Sequence, residues 1–212
     1  MHIPDGLLNA KVIIGSAAVA AVGIGYAARQ VRRDLDARHV PRVAALAAFV
    51  FATQMVNFPI AGGTSGHLMG GALAAVAFGP WVGTMVLTTV VTLQALLFQD
   101  GGVAALGANL LNMALVGPLT AYGCYRAVRH LWPTRAGWWA AVFLSGLLSV
   151  LATALAGALE LGLAGVIPLR VGLPAIALWH LFIGLGEGAI TAGVVSYLAS
   201  ERPELIRGVG TR

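Results

Sequence analysis

The sequence predicts an all-α polytopic membrane protein of seven transmembrane helices, with the N-terminus outside and the C-terminus cytoplasmic. Three observations carry that expectation. Of 212 residues, 58% are hydrophobic and 10% charged, and the mean hydropathy is +0.86, which suits a bilayer and not water. Apolar stretches fall at about 12–28, 43–60, 68–79, 81–98, 104–125, 138–160 and 174–198; each nears or exceeds the ~20 residues that span a membrane, apart from the short third. Finally, with the N-terminus outside, the inner segments collect Arg29, Arg32, Arg33, Arg38 and Arg42, then Arg126, Arg129 and Arg135, then Arg202, Arg207 and Arg212. Only Lys11 and Arg170 of the thirteen basic residues stay outside, as the positive-inside rule requires.

In order along the chain, the opening MHIPDG has no Lys or Arg before Lys11 and carries Asp5, so the first stretch reads as a retained span and not a secretory signal. The third and fourth stretches meet at Gly79-Pro80 with almost no loop, as a tight helical hairpin or as one segment that enters without crossing. The second option would move the later arginines outside, so two spans are expected. No linker or internal repeat divides the chain. It is expected to be a single membrane domain over 1–212: an N-terminal segment 1–10, a bundle at about 12–198 and a cytoplasmic tail 199–212. The basic balance belongs to topology, not to nucleic acid, and the one cysteine, Cys124, excludes an internal disulfide. Small residues at helical spacing, Ala17/Ala21/Gly25 and Ala44/Ala48/Ala52, are contact surfaces for packing within the bundle or for docking to another membrane subunit.

This topology puts Met1 and the loop 62–67, GGTSGH, on the same outer face. A histidine at position 2 offers a metal its ring Nδ1, its backbone nitrogen and the α-amine of Met1, closing a six- and a five-membered chelate ring. His67 is the candidate fourth nitrogen. Four coplanar nitrogens suit Ni(II), Cu(II) or low-spin Co(II). Pro4 and the turn pair Asp5-Gly6 are placed to fold the terminus back over the bundle. Taken alone, His2 also reads as a chance residue on a frayed end, and His67 as a surface or capping histidine.

Four segments, MHIPDGLL, QMVNFPIAGGTSGHLMGG at 54–71, LQALLFQDGGVAALGANLLNM at 93–113 and HLFIGLGEGAIT at 180–191, closely resemble the CbiM/NikM family. These are substrate-binding membrane subunits of energy-coupling factor transporters for cobalt and nickel. The resemblance implies a seven-helix bundle with an outward N-terminus inserted into it, and a metal held by Met1, His2 and His67. It implies Co(2+) or Ni(2+) as transported substrate, with no organic cofactor. Cobalt, for cobalamin biosynthesis, is the expected ion because the likeness looks nearer that branch, with nickel its rival. The implied partners are a transmembrane scaffold subunit, two ATP-binding cassette ATPases and a small accessory membrane subunit, in the cell (inner) membrane. Ala61 stands where the family often has a second proline.

The chain lacks a GxxxxGK[ST] signature and so cannot hydrolyse ATP by that route. Gln54, Asn57, Gln94, Gln99, Asp100, Asn109 and Asn112 gather near the outer halves of their helices, as supports for His2 or His67. His180 and Glu187, two turns apart, are expected to make interhelical hydrogen bonds. As an acid–base pair they would instead mark an intramembrane enzyme, and a purely structural subunit would bind no metal.

Overall fold

A computed structural model describes residues 2–56, 58–60 and 64–201. Met1, Asn57, Ala61 and the end of the tail lie outside the described residues. Among those described, helix forms at each expected apolar stretch, with bounds that differ for physical reasons.

Helix α1 (Ala10–Asp34) starts on an Asn9 cap whose side chain accepts from the Val12 N–H, and ends with Arg32 and Arg33 in its last turn, where positive charge complements the helix dipole. Helix α2 (Val40–Gln54) begins with Pro41 in its first turn and stops short of the expected residue 60. Phe58 precedes Pro59, a position that disfavours helix, and the chain instead forms an antiparallel pair of three-residue strands, β1 (Phe58–Ile60) and β2 (Thr64–Gly66), with Phe58 opposite Gly66.

Helix α3 (Gly71–Phe78) is the shortest of the expected stretches. Gly70 has φ +68, a left-handed conformation that delays helix entry. Eight residues reach only about 12 Å at 1.5 Å each. Every residue from Gly71 to Ala77 is buried, because α3 sits in the centre against the helices at Pro80–Leu97, Gly117–Leu131, Arg135–Leu163 and Leu169–Glu201. Glycine and alanine dominate it for that reason: only small side chains let so many backbones approach. Helix α4 (Pro80–Leu97) follows after Gly79 alone, at φ +93. This turn lies beside the far end of α1, across a pocket of about 410 Å³ lined by Gln30, Asp34, Gly79, Pro80 and Tyr122.

The fifth stretch is one helical run in three parts: α5 (Leu106–Asn109), a π-helical segment at Leu110–Val116, and α6 (Gly117–Leu131). The wider π turn disturbs the regular ladder. Two hydroxyls on the next helix bond to its carbonyls, Thr153 to Asn112 (3.1 Å) and Ser149 to Gly117 (3.0 Å). Helices α7 (Arg135–Leu163) and α8 (Leu169–Glu201) pack backbone to backbone: a Cβ on Gly146 would lie 2.7 Å from the Gly188 Cα. By length and composition, α1, α4, α7 and α8 qualify as membrane spans, and the chain is an all-α membrane protein.

The small-residue rows separate. On α1 the buried positions are Ser16, Ala20 and Ala27. Ala17 touches α5, where a Cβ on Gly107 would meet the Ala17 Cα at 2.5 Å, while Ala21 and Gly25 are exposed. The first row is therefore not one contact surface. Ala44, Ala48 and Ala52 are all exposed, and the first two line an apolar groove of about 630 Å³ between α2 and α4.

Candidate metal centre

The site is assembled from the N-terminal segment, the loop after α4 and the loop before α3. Ile3 is 5% exposed and packs with Leu8, Ala105 and Ala108. Its backbone is held on both sides: the Ile3 N–H donates to Asn109 Oδ1 (2.8 Å), and the Ile3 carbonyl accepts from Asn109 Nδ2 (3.0 Å) and from the Gly102 N–H (2.9 Å). One amide side chain thus acts as a strand neighbour to the terminus. Two residues on, the Asp5 carboxylate accepts from the backbone N–H groups of Val103 (3.0 Å) and Ala105 (3.1 Å). Ala105 caps the long helical run without a side-chain hydrogen bond of its own, so Asp5 supplies the anionic cap from a distant part of the chain. Gly6, at φ +89, makes the turn.

The pair Gly101-Gly102 leaves room for this docking. A Cβ on Gly101 would sit 3.2 Å from the His2 Cβ, and one on Gly102 would run into the Asp5 carboxylate and lie 2.5 Å from the Asp5 backbone nitrogen. Gly102→Val is therefore expected to unseat residues 2–5 and leave the helices intact. Limited proteolysis of detergent-solubilised protein should then cut within the first ten residues, where the parent resists.

The docked segment brings the His2 ring against that of His67, with centroids 5.1 Å apart and planes inclined by 21°. His2 Nδ1 also lies 3.2 Å from Asp100 Oδ1. Asp100 is placed by its own N–H, which bonds to the Gln94 carbonyl at 3.1 Å, around Gln99 at φ +55. His67 is 1% exposed. Its Nδ1 lies 3.0 Å from the Leu68 carbonyl; a carbonyl only accepts, so Nδ1 carries the proton and the lone pair resides on Nε2. Burial, then nearby positive charge, pushes the His67 imidazole down to about 3. An unfolded chain protonates it near the ordinary ~6.5. Folded stability from this group therefore falls as pH drops through the interval between those values.

The loop that carries His67 is held by two residues from other helices. Glu187 on α8 accepts from the Met69 and Gly70 N–H groups, each at 2.8 Å, and Gln54 on α2 donates to the Met69 carbonyl at 2.6 Å. Gln54 and Asn109 thus do support the histidine-bearing segments, as expected. Asn112 instead bonds to Glu160 at 2.5 Å. Gln94 acts through its backbone, and its buried amide group has no protein partner among the described residues. His180 and Glu187 do not form an acid–base pair: both Glu187 oxygens are engaged by the segment before α3, whereas His180 Nδ1 bonds within its own helix, to the Ile176 carbonyl at 2.8 Å, and not across helices as expected. Asp5 and Glu187 escaped sequence reasoning as positioning groups, since their partners are backbone N–H groups about a hundred residues away.

Among the described residues no cluster of three His, Cys, Asp or Glu side chains is arranged to hold a metal. A metal bound here by His2 and His67 needs further donors from the backbone or the terminus.

Comparison with known proteins agrees with this reading of the fold. Residues 2–205 match the family model described as cobalt uptake substrate-specific transmembrane region, CbiM. The chain is 40% identical to a putative fused nickel transport protein NikMN of Archaeoglobus fulgidus, covering 97% of this chain and 68% of that one. It is 34% identical to the cobalt transport protein CbiM of Sorangium cellulosum, covering 97% and 94%. A crystal structure of a truncated transition metal transporter superposes with a TM-score of 0.87 at 38% identity, covering 94% of this chain and 99% of that one. The chain is not an enzyme: it belongs to the CbiM family, the substrate-specific membrane components of cobalt and nickel transport.

Proposed function

We propose that this chain captures Co(2+) or Ni(2+) at the outer face of the cell membrane and delivers it to an energy-coupling factor importer. The observation that carries the reading is the juxtaposition of the His2 and His67 rings at 5.1 Å by a terminus pinned through Ile3 and Asp5. The ligands would be the Met1 amine, the His2 backbone nitrogen and Nδ1, and His67 Nε2. Planar ligation through a backbone nitrogen requires its deprotonation, so the amide contributes one negative charge. Asp100 contributes a second beside Nδ1, and a divalent ion is then neutralised where an uncompensated charge is costly.

The residues do not separate cobalt from nickel. The expectation of cobalt rested on nearness to the cobalamin-linked branch, but the nickel-named relative above has the higher identity, so that argument gives cobalt no lead. Copper(II) binds such nitrogen sets more tightly than either ion, so metal supply would contribute to selectivity.

Metal analysis of untagged protein after dialysis tests the reading. One Co(II) or Ni(II) per chain is expected, lost in His2→Ala and in His67→Ala; retention of the ion in both variants would reject it. Affinity should fall as pH drops from about 8 to 6, because the α-amine, with a reference pKa of ~7.7–8.0, and the amide must release protons. His67, already neutral through that range, adds nothing to the slope. Isothermal titration at three pH values measures it.

The seven-span topology with an outer N-terminus and a single membrane domain is part of the same proposal. Its support is that residues 2–5 dock beside the end of α4, whereas the Gly79-Pro80 turn lies by the opposite end of α1. The third stretch, 68–79, would then cross the membrane from the outer face that carries His67. An importer of this kind needs a scaffold subunit, a pair of ATPases and, in some systems, a small accessory subunit, since this chain has no phosphate-binding loop. The exposed Ala44/Ala48/Ala52 face is the proposed scaffold contact. Ala48→Leu is expected to reduce co-purification with the scaffold while leaving metal stoichiometry unchanged; parallel loss of both would identify the row as internal packing.

A further inference from the structure

We infer that Glu187 and Gln54 are positioning residues for the metal: by gripping the backbone of Met69 and Gly70 they hold the His67 imidazole in its ligating place. The inference rests on the metal site proposed above.

Glu187 is 2% exposed on a membrane-spanning helix, where a carboxyl group is costly and calls for a specific partner. Its partners are two consecutive backbone N–H groups, those of Met69 and Gly70. They precede α3, whose N-cap, Gly70, provides no side-chain hydrogen bond. A local Ser or Asp is the usual cap, but position 70 cannot carry one: it has φ +68, and a Cβ there would lie 2.7 Å from Val50 Cγ2. The cap therefore comes from α8. From the other side, α2 contributes Gln54 Nε2 to the Met69 carbonyl. Both polar groups of Met69's backbone are thus fixed by different helices.

Glu187 lies on a well-anchored part of α8. Cβ atoms at Gly184 and Gly188 would come within 3.0 Å of the Leu147 carbonyl oxygen and 2.6 Å of that of Phe143, so α8 lies tight on α7 at both flanks. From Met69 back to His67 there are only two Cα steps of about 3.8 Å each, and the intervening Leu68 carbonyl receives the His67 Nδ1 proton. A shift of Met69 is transmitted to His67 almost undamped, and metal–nitrogen bonds tolerate only about ±0.2 Å. A helix cap that served folding alone would have no need of the second grip from Gln54 on the same residue.

The test uses untagged full-length protein in detergent, with Ni(II) as probe and the visible d–d band and titrated affinity as readouts. His67→Ala sets the reference: water replaces one nitrogen and the band moves to longer wavelength. Glu187→Gln keeps the side-chain volume but can accept only one of the two N–H bonds, and Gln54→Met removes the donor without removing charge. Both are expected to move the band toward the His67→Ala position and weaken binding by roughly 10–100-fold, with helicity retained. Added imidazole should restore the four-nitrogen band in both, as in His67→Ala. If Glu187→Gln and Gln54→Met keep the parental band and affinity while His67→Ala does not, the inference is wrong and the metal site stands. If His67→Ala itself changes neither readout, the site falls and the inference with it. Should Glu187→Gln fail to fold, Gln54→Met alone decides by the same outcomes.

Discussion

A short extension placed before Met1 is expected to weaken Co(II) or Ni(II) binding by more than about 100-fold, beyond the ~10–100-fold cost of losing a supporting residue. The extension converts the Met1 amine into an ordinary amide. A primary amine gives up a proton near neutral pH, whereas a backbone amide does so only under the pull of a metal already held by neighbouring donors. The first chelate ring is then lost, and with it the anchor that makes deprotonation of the His2 amide favourable. The bundle should be indifferent, because the described anchors of the terminus are Ile3 and Asp5, which the extension leaves unchanged. Titration calorimetry gives the affinity, and thermal unfolding gives the control. A variant that binds metal like the parent would mean that the amine is not a ligand.

Asn109→Leu is the second large effect. The substitution is nearly isosteric, but it strips Ile3 of both the acceptor for its N–H and one donor to its carbonyl, in a place where Ile3 is 5% exposed. Each buried group left without a partner costs about 1–3 kcal/mol, and every 1.4 kcal/mol is about tenfold in affinity. The Gly102 N–H still bonds the Ile3 carbonyl, so the N–H of Ile3 bears most of the loss. A decrease in metal affinity of roughly 10–100-fold follows. The helices themselves lose little, since Asn109 bonds to the terminus and not to a neighbouring helix. Equal loss of affinity and thermal stability would instead make Asn109 a residue of the bundle core.

Much of the architecture was legible because bilayer-facing helices announce themselves by length and hydropathy, and their ends by charge. Arg32 and Arg33 mark the end of α1, and Gly79-Pro80 marks the hinge between α3 and α4. The short, wholly buried α3 was less legible. Its GALAAVA is apolar throughout but too short to read as a span, and only its central position among four helices explains why alanine and glycine supply most of it. The end of α2 at Gln54 was hidden for a different reason: the apolar run continues through Phe58 and Ile60, while Pro59 decides that it is not helix.

At the site, chelate chemistry and a shared outer face led to the expectation that His2 and His67 meet, and their rings do lie 5.1 Å apart. The means of approach was not. Asp5 reads as half of a turn, and nothing in its neighbourhood points to the N–H groups of Val103 and Ala105. Glu187 reads as a mid-membrane carboxylate in need of a partner, and only the fold identifies that partner as the peptide groups beside His67. Long-range hydrogen bonds to backbone leave no residue-type signature, whereas pairs of opposite charge would have.

The most direct measurement is an anomalous-scattering map, collected at the metal edge, from crystals of the untagged protein loaded with Co(II) or Ni(II). The account predicts a single strong peak between the His2 and His67 rings, in plane with the terminal amine and the His2 backbone nitrogen. A peak elsewhere in the bundle, or one ringed by carboxylate and water oxygens with His67 turned away, would contradict it.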